Sequence, residues 1–332
     1  RKVVTIDAGS GVARVTIDGK PLDAHVVEEL SAMEVDRGVV IDIADRVALL
    51  LHHRTSASPK SPQEELGLVG VSEAMEKLRQ TSREVAATPS NILICGESGV
   101  GKELVARTIH QLSDRGSRTL EVLNMAAMTP SLAASGLFGH NRDAFTGADH
   151  NRVGALERAD GGALILDAAE DTPADVQPLL LRALESGEFT PVGATAKKRV
   201  DVRVLAATDA DLDAAITSDD PRTALLRHLA DVRVDVPPLR TRREDIGVLV
   251  LHFLRQEFAR MGVSHHLEAD TPRSWLSAST VARLARYDWP GNVRQLRNVT
   301  RQLAILTCDA SFFGEGVDID ALLPAMPDEN SM

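Results

Sequence analysis

The sequence predicts an α/β fold: a parallel sheet with flanking helices, a helical section after it and a small β-rich segment before it. Three observations carry this prediction. Strand-like apolar runs alternate with helical patterns from 64 to 240, the signature of strands joined by crossover helices. A glycine-rich stretch with a lysine, "GESGVGKE" (96–103), joins the apolar run "NILIC" to the helical pattern "ELVARTIHQL". From 241 to 310 the pattern is helical and is broken by "DWPGN" at 288–292.

Taken in order, residues 1–53 alternate apolar and polar residues in short runs, "VARVTIDGKPL" and then "GVVIDIADRVALLLHH". "DGK" is a hairpin signal and β-branched residues are frequent, so the segment reads as the end of a small all-β unit. "RTSASPKSPQ" (54–63) reads as a linker. The α/β section, 64–240, offers four strand candidates: "NILICG" (91–96), "LEVLN" (120–124), "GALILD" (162–167) and "VRVLAAT" (202–208). In the helical section, 241–310, Val293, Leu296, Val299 and Leu303 form one apolar stripe on a last helix. Residues 311–332 read as a polar tail.

The chain has 332 residues, of which 43% are hydrophobic and only 3% aromatic, so its core is built from Leu, Val, Ala and Ile. Cys95 and Cys308 are far apart and fit neither a metal spacing nor a disulfide framework, which points to the reducing cytoplasm. There is no apolar run of membrane-spanning length, about 18 residues, and no signal-peptide core, so no membrane partner is expected. A formal charge of −11 does not support nucleic-acid binding by the whole surface, although a local basic patch or a further domain remains open. A first residue of Arg1 reads as a fragment or a processed form.

"GESGVGKE" has the makings of a phosphate loop. Gly96, Glu97, Ser98, Gly99, Val100, Gly101, Lys102 and Glu103 would turn several backbone N–H groups toward phosphate oxygens. The helix N-terminus adds partial positive charge, and the lysine reaches the outer phosphates. The usual pattern ends in Ser or Thr, whose hydroxyl helps hold Mg²⁺; Glu103 stands there instead. The alternative is a chance glycine turn, which the order of strand, loop, lysine and helix disfavours. Asp167, at the end of the third strand candidate, is then the metal-side acid, since ligands bind at the carboxyl ends of such strands. An isolated strand-end Asp would otherwise be a turn or N-cap residue.

Six blocks in a fixed order resemble a known family: "GESGVGKE", "LFGHNRDAFTGA" (137–148), "LLRALESGEFTPVG" (180–193), "VRVLAATDADL" (202–212), "PPLRTRREDI" (237–246) and "WPGNVRQLRN" (289–298). They resemble the P-loop AAA+ central domain of bacterial enhancer-binding proteins, the activators of sigma-54 RNA polymerase, over about residues 66–306. The resemblance implies an ATPase using ATP and Mg²⁺, a homo-oligomeric, hexamer-type ring with each nucleotide between two subunits, and a helical lid. It also implies a surface loop, here carrying Phe145 and Thr146, that touches sigma-54. The family usually adds a regulatory domain before this core and a helix-turn-helix after it. None is visible before Met332, so DNA would be reached only through a domain outside this chain. Residues 1–53 resemble the last strands of a forkhead-associated domain, an unrelated hairpin being the alternative.

Several positions depart from the family's pattern. Its strand ends Asp-Glu, whereas Asp167 is followed by Ala168; loss of a positioned general base costs about 10²–10⁴-fold in rate. Asn124 matches the asparagine that pairs with this glutamate, and is expected here to lack its partner. Glu170 and Asp171 read as a polar helix start, with substitution for the missing glutamate as the alternative. Asp209 replaces the sensor asparagine, so a carboxylate stands where an amide would donate. Arg222 matches the first of two arginines supplied to a neighbour's site; His228 replaces the second, with Arg227 one position early and so turned by about 100° on a helix. Arg294 matches the lid's sensor arginine. Asp143 replaces the first glycine of the family's GAFTGA loop. The expectation is a sigma-54-interacting AAA+ regulator that binds ATP with impaired hydrolysis. The alternative is a pseudo-ATPase scaffold.

Overall fold

A computed structural model of the chain describes residues 4–7, 14–44, 47–52, 67–145, 148–210, 222–263, 278–307 and 319–323. The expected linker and Cys308 lie outside these residues, as does the tail apart from 319–323. The chain divides into two compact units. One comprises Glu65–Leu68 and Glu76–Pro237, the other Arg1–Glu64, Val69–Met75 and Pro238–Met332.

The N-terminal segment is β-rich. Strands β1 (Val4–Asp7), β2 (Val15–Ile17), β3 (Lys20–Leu22) and β4 (Val27–Leu30) precede the short helix α1 (Ala32–Arg37), and β5 (Val39–Ile43) and β6 (Val47–Leu51) follow it. β1 pairs with β4, and the remaining four form an antiparallel sheet in the order β3-β2-β5-β6. The "DGK" turn places Asp18 and Gly19 at φ 47° and 82°, the two positive values that a tight type I′ hairpin needs. A capping box opens α1: Glu34 N donates to Ser31 Oγ (3.3 Å) and Ser31 N to Glu34 Oε2 (2.7 Å). The core here is small: Ile17, Leu30, Val35 and Val39.

The α/β unit contains most of α2 (Glu73–Ala86), then β7 (Ile92–Cys95), α3 (Lys102–Leu112), β8 (Leu120–Asn124), α4 (Pro130–Phe138), β9 (Ala163–Asp167), α5 (Gln177–Ser186), β10 (Arg203–Thr208), α6 (Arg222–Leu229) and β11 (Val232–Asp235). The five strands lie parallel in the order β11-β7-β10-β9-β8. Their near-continuous apolar runs are what a sheet buried on both faces requires. Leu93, Leu164, Leu166, Val204 and Ala206 enter one core with Leu137 of α4, Leu180 of α5 and Leu225 and Leu229 of α6. α3 packs on β7, β9 and β10 and buries Val105, Ala106 and Ile109.

Arg203 pins the sheet at its N-terminal edge. Only 4% exposed, it donates to the carbonyls of Val85 (2.7 Å), Ala86 (3.2 Å) and Ser90 (3.0 Å). These include the last carbonyls of α2, which a cation suits. Burial pulls its pKa below the ordinary arginine value.

In the other unit, α7 (Glu244–Met261), α8 (Ala278–Arg286) and α9 (Asn292–Thr307) form the helical lid. Leu296, Val299 and Leu303 of the expected stripe pack with Phe253 and the fully buried Trp289. Trp289 Nε1 donates to Leu284 O (2.9 Å), and Asn292 Oδ1 accepts from Leu239 N (2.8 Å), which fixes the "DWPGN" turn. Asp245, fully buried, accepts from Val71 N (2.6 Å), Ser72 N (2.8 Å) and Ser72 Oγ (2.7 Å). Within the same unit α8 packs against β5 and β6. Asp288 Oδ1 accepts from Arg243 Nη2 at 2.5 Å and lies 3.7 Å from Arg37 Nη2. A Cβ at Gly19 would collide with the Arg286 guanidinium.

Arg203→Met keeps most of the side-chain volume and removes every donor from three carbonyls. A loss of about 2–3 kcal/mol in unfolding free energy, read by urea titration, is expected; an unchanged midpoint would show that water satisfies these carbonyls.

Candidate functional site

The site is assembled at the C-terminal edge of the parallel sheet. β7 ends at Cys95, and Gly96–Gly101 turn the chain into α3, whose N-cap, Gly101, sits at φ 107°. A Cβ at Gly96 would lie 2.8 Å from Val236 O, so only glycine lets the loop leave the strand at this angle. Val100 is buried beneath the loop, while Ser98 is exposed. Gly96 N donates to Thr208 O at 3.3 Å, which ties the loop to β10. Lys102 Nζ donates to Gly96 O (2.7 Å) and Glu97 O (3.1 Å), holding the ammonium against the loop. The glycine geometry, the lysine and the start of an eleven-residue helix fit a chain of phosphates.

Glu103 does not stand in for the usual hydroxyl. Its Oε1 accepts from Arg107 Nη2 (2.7 Å) and Nε (2.9 Å), one turn along the same exposed helix flank. Asp167 ends β9 opposite Asn124 of β8. It had been expected that Asn124 would lack a partner, and the structure corrects this: its Nδ2 donates to Asp167 Oδ2 at 2.9 Å. Parallel register sets the two ends side by side, so the amide turns to the nearest acceptor. Mg²⁺ takes one or two carboxylates and fills its shell with phosphate oxygens and water. A lone Asp167 fits that habit, and among the described residues no group of three or more His, Cys, Asp or Glu could hold a metal by itself.

Ala168 follows at φ 53°, ψ 53°, a left-handed conformation that is unfavourable for a residue with a Cβ. It opens the single turn Ala169–Asp171. Glu170 and Asp171 do form the polar start of this turn, but Glu170 is half-buried and its Oε1 accepts from Asp209 N at 3.0 Å. Burial first, and then a side-chain hydrogen bond with Asp209, raises its pKa above the ordinary glutamate value. This pairing was hidden in the sequence because the two residues are 39 positions apart. Their approach depends on β9 and β10 being neighbours.

The remaining candidates are spread more widely. Arg222 opens α6, but its side chain lies outside the described residues. Arg227 and His228 are exposed, and His228 Nε2 is 3.5 Å from Glu185 Oε1. Phe145 is half-buried rather than an open tip, its ring edge-on to His140 with centroids 5.0 Å apart. Thr146 lies outside the described residues. Asp143, at φ 65°, closes the loop base by donating from its N–H to Ala148 O at 2.8 Å. Arg294 is the third residue of α9, in the lid unit.

The sigma-54 interaction domain model matches residues 68–235, and the AAA+ ATPase lid domain model matches 240–326. The DNA-binding transcriptional regulator NtrC of Escherichia coli is 41% identical over 272 residues, covering 80% of this chain and 56% of that protein. The alginate biosynthesis transcriptional regulatory protein AlgB of Pseudomonas aeruginosa is 41% identical over 256 residues, covering 77% and 54%. A crystal structure of NtrX from Brucella abortus in complex with ADP superposes with a TM-score of 0.67 at 39% identity, covering 81% of this chain and 58% of that one. A second, in complex with ATP, gives 0.65 at 40% identity, covering 78% and 56%. The chain thus spans little more than half the length of these relatives. With its phosphate loop, sheet and lid in the expected order, the chain belongs to the sigma-54 interaction domain family and carries an AAA+ ATPase lid domain after that domain.

Proposed function

We propose that the chain is the nucleotide-binding core of a sigma-54-dependent transcription regulator, which binds ATP with Mg²⁺ and hydrolyses it slowly. The observation that carries this reading is the shared sheet edge. The Gly96–Gly101 loop with Lys102 and the carboxylate of Asp167 emerge on neighbouring sides of β10, and the residue after Asp167 is Ala168, which offers no carboxylate to activate water. The regulators that the chain resembles, and the NtrX complexes with ATP and ADP, support the nucleotide and the transcriptional role.

In this reading the loop N–H groups and Lys102 hold the phosphates, and Arg294 is the lid's sensor arginine. Asp167, steadied by Asn124, would hold Mg²⁺, which would neutralise charge on the phosphates. Arg222 reaches a neighbouring subunit's nucleotide in a homo-oligomeric ring. Phe145 and Thr146 meet sigma-54, and DNA is reached through a domain outside this chain. The transcriptional regulators that the chain resembles support a cytoplasmic setting. The small antiparallel sheets of residues 4–51 support a forkhead-associated remnant. Ala168, Asp209 and His228 together favour a second reading, a pseudo-ATPase that keeps nucleotide binding and the ring but does not drive sigma-54 polymerase.

Lys102→Ala is expected to weaken ATP and ADP binding by about tenfold or more, the equivalent of one charge-assisted hydrogen bond. Titration calorimetry reads this; wild-type protein that takes up neither nucleotide would end the proposal. Light scattering is expected to show self-association that increases with nucleotide; a strict monomer under both conditions would remove the ring.

Turnover is expected to be well below about 1 s⁻¹, the low end for enzymes. Ala168→Glu alone gains little, because groups that act as a unit are strongly non-additive. Adding His228→Arg and Asp209→Asn gains more. Steady-state phosphate release at equal oligomer concentration compares the versions. Wild-type turnover at or above that threshold would show that the altered positions do not limit hydrolysis.

A further inference from the structure

We propose that His140 and His150 form a binding site for a transition-metal ion of the Zn²⁺ type, which ties together the two arms of the surface loop carrying Phe145. His140 ends the two-residue strand Gly139–His140, on the arm that leads into the loop. His150 lies two residues before the strand Arg152–Val153, which pairs with the first in antiparallel fashion. Both histidines belong to the α/β unit. Their ring centroids are 6.1 Å apart and the rings are tilted by 59°. The inference goes beyond the nucleotide reading and does not depend on it.

His140 is prepared for such a role. Only 6% exposed, it is held by Ser135, itself 1% exposed, whose Oγ lies 2.7 Å from His140 Nδ1. Metal-binding imidazoles are commonly oriented in this way, with one ring nitrogen fixed by a neighbour and the other left for the ion. With Nδ1 engaged, Nε2 is the ligand atom, and among the described residues it has no hydrogen-bond partner. Phe145 packs edge-on against the same ring, with centroids 5.0 Å apart, and limits how far it can turn. His150 is exposed and makes no hydrogen bond or ion pair among the described residues, so its side chain can adjust to an ion.

The spacing suits one ion between the rings. With Zn–N of about 2.0–2.1 Å, two imidazoles on one ion have centroids about 5.2 Å apart at a tetrahedral angle and about 6.4 Å apart when opposed. The observed 6.1 Å lies inside this range, and a tetrahedral site needs the exposed ring of His150 to move inward by about 1 Å. Imidazole suits Zn²⁺ and its neighbours in the first transition row, whereas Mg²⁺ takes oxygen ligands. Among the described residues no third His, Cys, Asp or Glu completes the shell, so water fills the remaining positions, as in open zinc sites. The loop base is already closed by hydrogen bonds from Asp143 N to Ala148 O and from Arg142 N to Asn151 Oδ1. A metal bridge adds one further tie, and this one is present only when the ion is.

The test is calorimetric titration of the intact, nucleotide-free chain with Zn²⁺ in the presence of excess Mg²⁺. One Zn²⁺ per chain is expected to bind, undisturbed by the Mg²⁺. His150→Ala removes a ligand from an exposed position and is expected to weaken Zn²⁺ binding by more than about tenfold, since losing even a group that orients a ligand costs about 10–100-fold. His150→Cys, which supplies a thiolate in place of the imidazole, is expected to keep the site. Hydrogen exchange gives a second readout: Zn²⁺ should slow exchange in both arms, 139–145 and 148–153, in wild type and not in His150→Ala. The proposal is overturned by a wild-type chain that takes up no Zn²⁺ or loses it to Mg²⁺. It is equally overturned by His150→Ala binding as wild type does, or by binding that leaves exchange in both arms unchanged. Because nucleotide is absent, none of these results bears on the nucleotide reading.

Discussion

The register of the central strand, Arg203–Thr208, is the constraint on which the rest of the α/β unit depends. All six of its residues are buried, and it is hydrogen-bonded on both sides, Leu205 lying opposite Ile92 and also opposite Ile165. A slip by one residue would exchange the faces that Val204 and Ala206 share with Leu205 and Ala207, misplacing apolar side chains in both cores. The buried guanidinium of Arg203 fastens one end of the strand. At the other end the same register brings the phosphate loop, Asp209 and Asp167 out side by side.

That edge shows how polar groups at neighbouring strand ends are paired. Buried donors and acceptors need partners. With a methyl at 168, the amide of Asn124 turns to Asp167, and Glu170 reaches the backbone of Asp209. Ala168 keeps a left-handed backbone, at a cost of about 1–2 kcal/mol. The bend directs Glu170 toward β10, so it retains a structural task without a carboxylate of its own.

Strands β7, β8, β9 and β10, the glycine-rich loop and the last lid helix were legible in the sequence because each is a local pattern: an apolar run, a glycine spacing, a stripe with helical period. β11 was not. "VRVD" is four residues with two polar side chains exposed, an edge strand that becomes recognisable only once β7 is beside it. Lys102 and Asp167 are candidates that their positions in the chain single out. The partner of Asn124 and the contact of Glu170 with Asp209 could not be read there, since both are decided by which strands are neighbours. The sequence places Phe145 only on a surface loop, and its packing against His140 depends on a side chain whose direction no local rule gives.

The division of the chain into compact units does not follow the order of the sequence. The N-terminal strands belong with the lid, and Asp288 is held between Arg37 from one and Arg243 from the other. β5 and β6 cover α8, the helix just before the turn that leads into α9 and Arg294. A cut in the linker at 54–63 would therefore strip a lid helix of its covering sheet. It would also leave Asp288 with one arginine instead of two. A fragment prepared that way and the intact chain are different molecules at the lid, and measurements made on the first do not transfer to the second.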